Sequence, residues 1–284
     1  MTQFESVHAD EPKRGLISAD GFLANGSEHF HETIAASLEA SLGKTMPQVE
    51  IRYRELAISA DTVVASKEGT NELPTLFNHT KKSLFGLRSS KNSVTKTILH
   101  PTTGPGSGKS SFMKALAGVF THRKPRAWKA FVAYTGQRDN HYHTLTVEET
   151  LAFAHQSAGG VAPPHVLDAL VHGTPDENAH AKQIIEALYA VYPQVVVKQL
   201  GLTNCKDTIV GNAMLRGVSG GERKRVTTGE MEYGMKQVSL MDEISTGLDA
   251  AATFDMVKAQ RGATRHLKKT IAIALLQPGP EVLC

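Results

Sequence analysis

The stretch VSGGERKRVTTGEMEYGMKQVSLMDEISTGLDAAAT, residues 218–253, decides the fold class. At its centre VSLMD is a short apolar strand that runs directly into a second acid, Glu243. Helix-forming sequence flanks it on both sides, and TIAIALL (270–276) follows as a further apolar run. Helix, strand, helix, strand is the alternation of a parallel α/β sheet, because each crossover between parallel strands needs a helix's length of chain. Asp242 and Glu243 end the strand, so one carboxylate can reach Mg²⁺ while the next can polarise an attacking water. Upstream, Ser219, Gly220 and Gly221 stand at a helix start, where a hydroxyl and bare N–H groups make an anion-binding end. An isolated Asp-Glu pair is ordinarily a solvated strand end, so the pair gains meaning only from its company.

That company is PTTGPGSGKSS, residues 101–111. In a phosphate loop, backbone N–H groups of a glycine-rich turn wrap a phosphate at a helix N-terminus. The lysine reaches the β/γ oxygens and the following hydroxyl holds Mg²⁺. Gly104, Pro105, Gly106, Ser107, Gly108, Lys109, Ser110 and Ser111 form this loop, with Gly106 and Gly108 admitting the backbone, Lys109 supplying charge and Ser110 the metal ligand. The pattern's first glycine falls on Thr103, whose β-branch resists the dihedrals of a tight turn; Gly104 is the candidate to make that turn instead.

The rest of the chain bounds the reading. With 284 residues, 40% hydrophobic and 21% charged, it can bury a sizeable core, and a net charge of +3 is too small to indicate nucleic acid. Two cysteines, Cys205 and Cys284, exclude a disulfide framework and fit a reducing cytosolic compartment. No run reaches the roughly 18 apolar residues of a membrane-spanning helix. Residues 1–46 read as a polar, mobile or loosely docked N-terminal arm with one helical-looking stretch, HETIAASLEASLG. The segment 49–64 alternates as one or two strands, 130–137 reads as a strand, 146–157 as a helix capped by Thr146, and 176–200 as a helical region. The histidines of Glu28-His29-Phe30-His31-Glu32 and His141-Tyr142-His143 match no common zinc spacing and read as surface residues.

Taken together, PGSGKSS, VSGGERKR and SLMDE with STGLD resemble the ATP-binding cassette of ABC transporters. The wording is similar to the pleiotropic drug resistance branch of the ABCG subfamily, in its first cassette, over roughly residues 46–284. The resemblance implies a P-loop NTPase fold, α/β with a mostly parallel sheet, occupying 47–284, and a helical signature subdomain at about 146–218. It implies an ATPase whose Lys109 loop holds the triphosphate, with Ser110, Gln137 and Asp242 arranging Mg²⁺ and water and Glu243 as catalytic carboxylate. Ser219, Gly220, Gly221 and the adjoining Glu222 would meet the γ-phosphate bound to a different cassette, and Asp249 would sit at the dimer interface. Tyr53 would stack on adenine. The implied cofactors are ATP and Mg²⁺; the implied partners are a second, head-to-tail cassette and an exporter's transmembrane domain, on the cytoplasmic side of a membrane. In the family the coupled work is export of lipophilic compounds. A non-catalytic cassette that binds ATP weakly, or only contacts another cassette, is the alternative.

The chain also departs from the family's pattern. The strand expected before the phosphate loop is either VTKTIL (94–99) or missing, and THRKPRAWKA is too short to supply the strand pair expected between Lys109 and Gln137. Leu276 stands where many cassettes carry a histidine, and leucine cannot hydrogen-bond a phosphate. The expectation is therefore a cassette that is truncated and internally shortened.

Overall fold

The computed structural model describes residues 18–53, 56–63, 93–99, 108–119, 128, 131–234 and 236–275. Its helices are α1 (Ala19–Leu23), α2 (Gly26–Leu42), α3 (Lys109–Ala117), α4 (Val147–Ser157), α5 (Pro164–Ala169), α6 (Pro175–Gln199), α7 (Gly220–Glu230) and α8 (Ala250–His266). Its strands are β1 (Ile58–Val63), β2 (Ser93–Leu99), β3 (Val132–Thr135), β4 (Val238–Asp242) and β5 (Thr270–Ala274).

β3, β4 and β5 form a parallel sheet in that order, with Val132 beside Val238 and Val238 beside Thr270. β4 is the central strand and every residue of it is buried. Its period-two alternation serves two cores. Val238 and Leu240 join Ala272 and Ala274 of β5 on the face where Met113 and Ala117 of α3 are buried. Met241, with Ile271 and Ile273 of β5, faces Val147, Leu151, Val196, Val226 and Met256 on the other side. Helices on both faces of parallel strands are the doubly wound α/β arrangement that the alternation at 218–276 predicts.

α6 is the spine of the second layer. Thr174 and Glu177 close a capping box at its start and Pro175 occupies its first turn, where a missing N–H costs nothing. One side of it, through Ala181, Ile185 and Leu188, packs on Phe30, Ile34 and Leu38 of α2. Another, through Val196 and Val197, enters the core beneath the sheet. Each such fully buried aliphatic side chain is worth about 1.5–3 kcal/mol over leaving it in water. The segment read as a mobile or loosely docked arm holds the expected helix at HETIAASLEASLG, but packs more closely than that reading: Ile34, Ala35 and Leu38 fall on one side of α2, and that side is buried.

The span Arg52–Phe112 is a separate compact unit. Within it β1 and β2 pair antiparallel, Ser59 opposite Thr97 and Val63 opposite Ser93. This settles the alternatives left for VTKTIL. It is a strand, but among the described residues its partner is β1 and not the parallel sheet. Thr103, Gly104, Pro105, Gly106, Ser107 and Leu276, with THRKPRAWKA apart from Trp128, lie outside the described residues.

Candidate nucleotide site

The C-terminal end of β4 carries the acids. Asp242 is 1% exposed, on the same side of the strand as Val238 and Leu240. The register sets Tyr134 of β3 beside Leu240, and its hydroxyl reaches two residues further to donate to Asp242 Oδ2 at 3.3 Å. Burial first, then the Asp242 carboxylate, push the Tyr134 phenol up to about 12, so it stays a donor at any physiological pH. Asp242 Oδ1 is buried and has no partner among the described residues. An unpaired lone-pair oxygen on a buried carboxylate is costly, and a cation is the ligand that removes that cost. Aspartate, serine and glutamine side chains are hard oxygen donors of the kind Mg²⁺ takes, so the residues fit that ion.

Glu243 follows at once, half-buried, and adopts φ +55°, which is left-handed. Its N–H donates to Ala274 O at 2.9 Å, which extends the β4–β5 ladder by one rung before the chain turns. A non-glycine residue in this region costs of order 1 kcal/mol and persists where the surroundings fix it. The consequence is that Glu243 leaves the strand on a different heading from Asp242, beyond the sheet end where ligands of open α/β sheets bind.

α7 begins with Ser219 as its cap. Ser219 Oγ accepts the Glu222 N–H at 3.2 Å, and Glu222 Oε2 accepts the Ser219 N–H at 2.8 Å. The Ser219 backbone and then its hydroxyl hold the Glu222 carboxyl below its usual range. The two glycines differ. A Cβ at Gly221 would lie 2.7 Å from Gly247 O and 3.0 Å from Leu248 Cδ2, so glycine is required by the close approach of the STGLD turn. A Cβ at Gly220 would meet nothing within 4 Å, so no contact within the chain demands a glycine there. Asp249 is exposed and caps α8, its Oδ1 accepting the Ala252 N–H at 2.7 Å.

In the Arg52–Phe112 unit, Gly108 has φ +82° and accepts the Phe112 N–H at 2.8 Å, opening the helix whose first residue is the exposed Lys109. Ser110 and Ser111 lie in its first turn. Tyr53, largely exposed, sets its ring edge-on to Phe112 at 5.0 Å, which brings it beside this helix start. The structure thus gathers Asp242 and Glu243 at one strand end, Ser219 to Gly221 against Gly247, and Tyr53 with the start of α3. Gln137 is exposed just past the end of β3.

Sequence reasoning missed two participants. Tyr134 carries no motif and is found only through the β3–β4 register. Lys224 sits in the basic run Arg223-Lys224-Arg225, each member of which donates to backbone carbonyls of a different segment: Arg223 to Val210 and Val218, Lys224 to Gly136 and Gln137, Arg225 to Leu200 and Gly201. Nothing in the sequence separates these ties from an anion patch. The histidines also divide differently from the surface reading, since His31 is 6% exposed and the His141 side chain 2%.

A buried carboxylate with an open oxygen, a second acid turned past the strand end and a capped glycine helix start define an α/β nucleotide-hydrolase type of site. The chain belongs to the ABC transporter family, whose model matches residues 102–246, just over half of it. It is 37% identical to "ABC transporter G family member 31" of Arabidopsis thaliana over 84% of this chain and 20% of that protein. It is 34% identical to "ABC transporter G family member 40" of Oryza sativa subsp. japonica over 94% of this chain and 20% of that protein. It is also 34% identical to "Pleiotropic drug resistance protein TUR2" of Spirodela polyrhiza, over 84% of this chain and 19% of that protein. The chain therefore spans about a fifth of the length of the curated relatives it matches. It carries an ABC-type ATPase domain of the ABCG class. Among the described residues no helix is long and apolar enough to cross a membrane.

Proposed function

We propose that this chain binds MgATP and hydrolyses it as one half of a head-to-tail pair of cassettes, on the cytoplasmic side of a membrane, to drive export of lipophilic compounds through a transmembrane domain. The observation that carries the reading is the end of β4, where Asp242 offers a buried oxygen with no partner among the described residues and Glu243 is held in a strained conformation past it. Mg²⁺, when bound, would neutralise phosphate charge. Lys109 and the loop from Gly104 to Ser111 hold the triphosphate. Ser110, Gln137 and Asp242 hold the ion and orient water. Glu243 accepts the water's proton. Ser219, with Gly220 and Gly221, serves the nucleotide of the partner cassette, Glu222 steadies that helix start, and Asp249 lies at the interface.

The test is thermal unfolding against increasing MgATP, with Lys109→Ala alongside. A ligand confined to the folded state stabilises it by about 2.7 kcal/mol at a hundred times its dissociation constant. A saturating rise in the wild-type chain, absent in Lys109→Ala, is expected; a transition indifferent to ATP would remove the proposal. A second reading, a cassette that binds nucleotide without turning it over, is favoured by the strand VTKTIL, whose partner among the described residues is β1. It predicts the same rise with no hydrolysis in the presence of a second cassette, whereas turnover lost on Glu243→Gln would exclude it.

A further inference from the structure

The Lys224 ammonium is enclosed, its side chain 2% exposed, and it is met by Gly136 O at 2.8 Å, Gln137 O at 3.0 Å and Asp139 Oδ1 at 3.4 Å. All three acceptors belong to the segment that leaves β3. The next contact down α7 is three residues on, where Thr227 Oγ1 donates to the same Asp139 Oδ1 at 2.7 Å and lies 2.9 Å from His141 Nε2. Three residues further, Glu230 Oε2 stands 3.2 Å from His141 Nδ1, at ion-pair distance but outside hydrogen-bond geometry. Positions 224, 227 and 230 fall close together on one side of a helix. One side of α7 is therefore stitched, rung by rung, to the residues from Gly136 to His141.

We propose that Lys224 is a positioning residue that makes Gln137 and the Ser219 end of α7 move as one body, so that nucleotide sensed at Gln137 is reported at the helix start offered to the partner cassette. This rests on the ATP reading above. The physical reason is the cost of separation. An ammonium buried among three oxygens cannot leave them without giving up all of its acceptors at once in a site closed to water, so the segment and the helix shift together or not at all. The helix transmits the shift because its start is fixed by its own capping box and its glycine contact with Gly247. Arg223 ties α7 to the carbonyls of Val210 and Val218 and Arg225 ties it to those of Leu200 and Gly201, so among the described residues Lys224 is the member of the basic run that holds the Gln137 segment. Coupling of two sites needs such a contiguous element with two positions, and this seam supplies the connection.

The experiment is amide hydrogen exchange of the full chain with and without magnesium AMP-PNP, read at residues 136–141 and 219–223, in the wild type, Lys224→Met and Lys224→Arg. In the wild type both segments respond to nucleotide. In Lys224→Met exchange at 136–141 quickens by about tenfold without ligand, the nucleotide response there persists, and the response at 219–223 is lost. Lys224→Arg, which keeps the donors, restores it. A purely structural lysine would alter the starting exchange without uncoupling the two responses. If Lys224→Met fails to fold, Thr227→Val, which removes the hydroxyl between Asp139 and His141, is expected to shrink the response at 219–223. A response at 219–223 undiminished in these variants, or one confined to 136–141 in the wild type, overturns the coupling and leaves the ATP reading standing. No response anywhere in the wild type, with Lys109→Ala indistinguishable from it, removes the ATP reading and the coupling with it.

Discussion

Lys224, within α7, and Asp242, the last residue of β4, are charged side chains buried to nearly the same depth, 2% and 1% exposed, and the fold treats them in opposite ways. Lys224 meets three oxygens within 3.4 Å. Asp242 receives one phenol hydroxyl and keeps an oxygen unpartnered among the described residues. A charge whose partners all come from its own chain is part of the scaffold; a charge left half-answered in a low-dielectric setting stores an unmet interaction that a ligand can supply. His31 shows a third outcome. Burial first, then the nearby Lys269 ammonium, lower its pKa to about 4, so it is held neutral.

The largest effect expected is at the satisfied charge. Lys224→Met takes the ammonium from the Gly136 and Gln137 carbonyls, while Asp139 keeps the Thr227 hydroxyl, and should lower stability by about 3 kcal/mol or more, read by urea unfolding; a loss under half of that would place water in the seam and weaken the contrast with Asp242. Next comes acid. The unfolded chain protonates His31 from about pH 6.5 downward while the folded chain resists until about 4, so stability falls across that window as pH drops. The contribution is about 3 kcal/mol, and His31→Leu should flatten the profile there. The paired glycines follow. Gly221→Ala drives a methyl to 2.7 Å from Gly247 O and should cost about 1–3 kcal/mol in thermal unfolding. At the open charge, Asp242→Asn removes a buried anion, so the unfolding free energy should hold or rise by about 1 kcal/mol while the Mg²⁺ dependence of ATP stabilisation disappears. A clear destabilisation would mean that the carboxylate is satisfied within the fold, and the contrast would collapse. Smallest is Gly220→Ala, expected within about 0.5 kcal/mol because the added methyl meets nothing.

The parallel sheet was legible because β4 and β5 are short apolar runs separated by a helix's length of chain, and both were read as strands where they occur. The carboxylates, the capped serine and the helix at 146–157 were legible for the same reason: each announces itself within a few residues. What escaped depends on partners distant in sequence. Tyr134 acquires its role through the β3–β4 register, across 108 positions. Lys224 reaches back 88 and 87 positions to two carbonyls, and a basic run looks the same whether it faces water or main chain. His31 and His141 look like surface residues because short polar neighbours surround them, yet α8 and α7 cover them. In the N-terminal segment the helix over HETIAASLEASLG was legible but its close packing was not, because its apolar residues are few and widely spaced, enough for one side of α2 but not for an obvious core segment.

β5 has one further consequence. Its register is filled by β4 on one side, and among the described residues no strand occupies the other. TIAIA is β-prone, uncharged and only partly covered, so its outer N–H and C=O groups form a template for any extended chain that drifts past. Lys268 and Lys269 stand immediately before it but are engaged within the chain, Lys269 with Glu232 at 3.5 Å and Lys268 donating to Arg265 O at 2.9 Å, so they give the strand little electrostatic protection. Colloidal behaviour at the bench should accordingly follow concentration: dilute handling limits the encounters in which the outer side of β5 in one copy meets an extended segment of another.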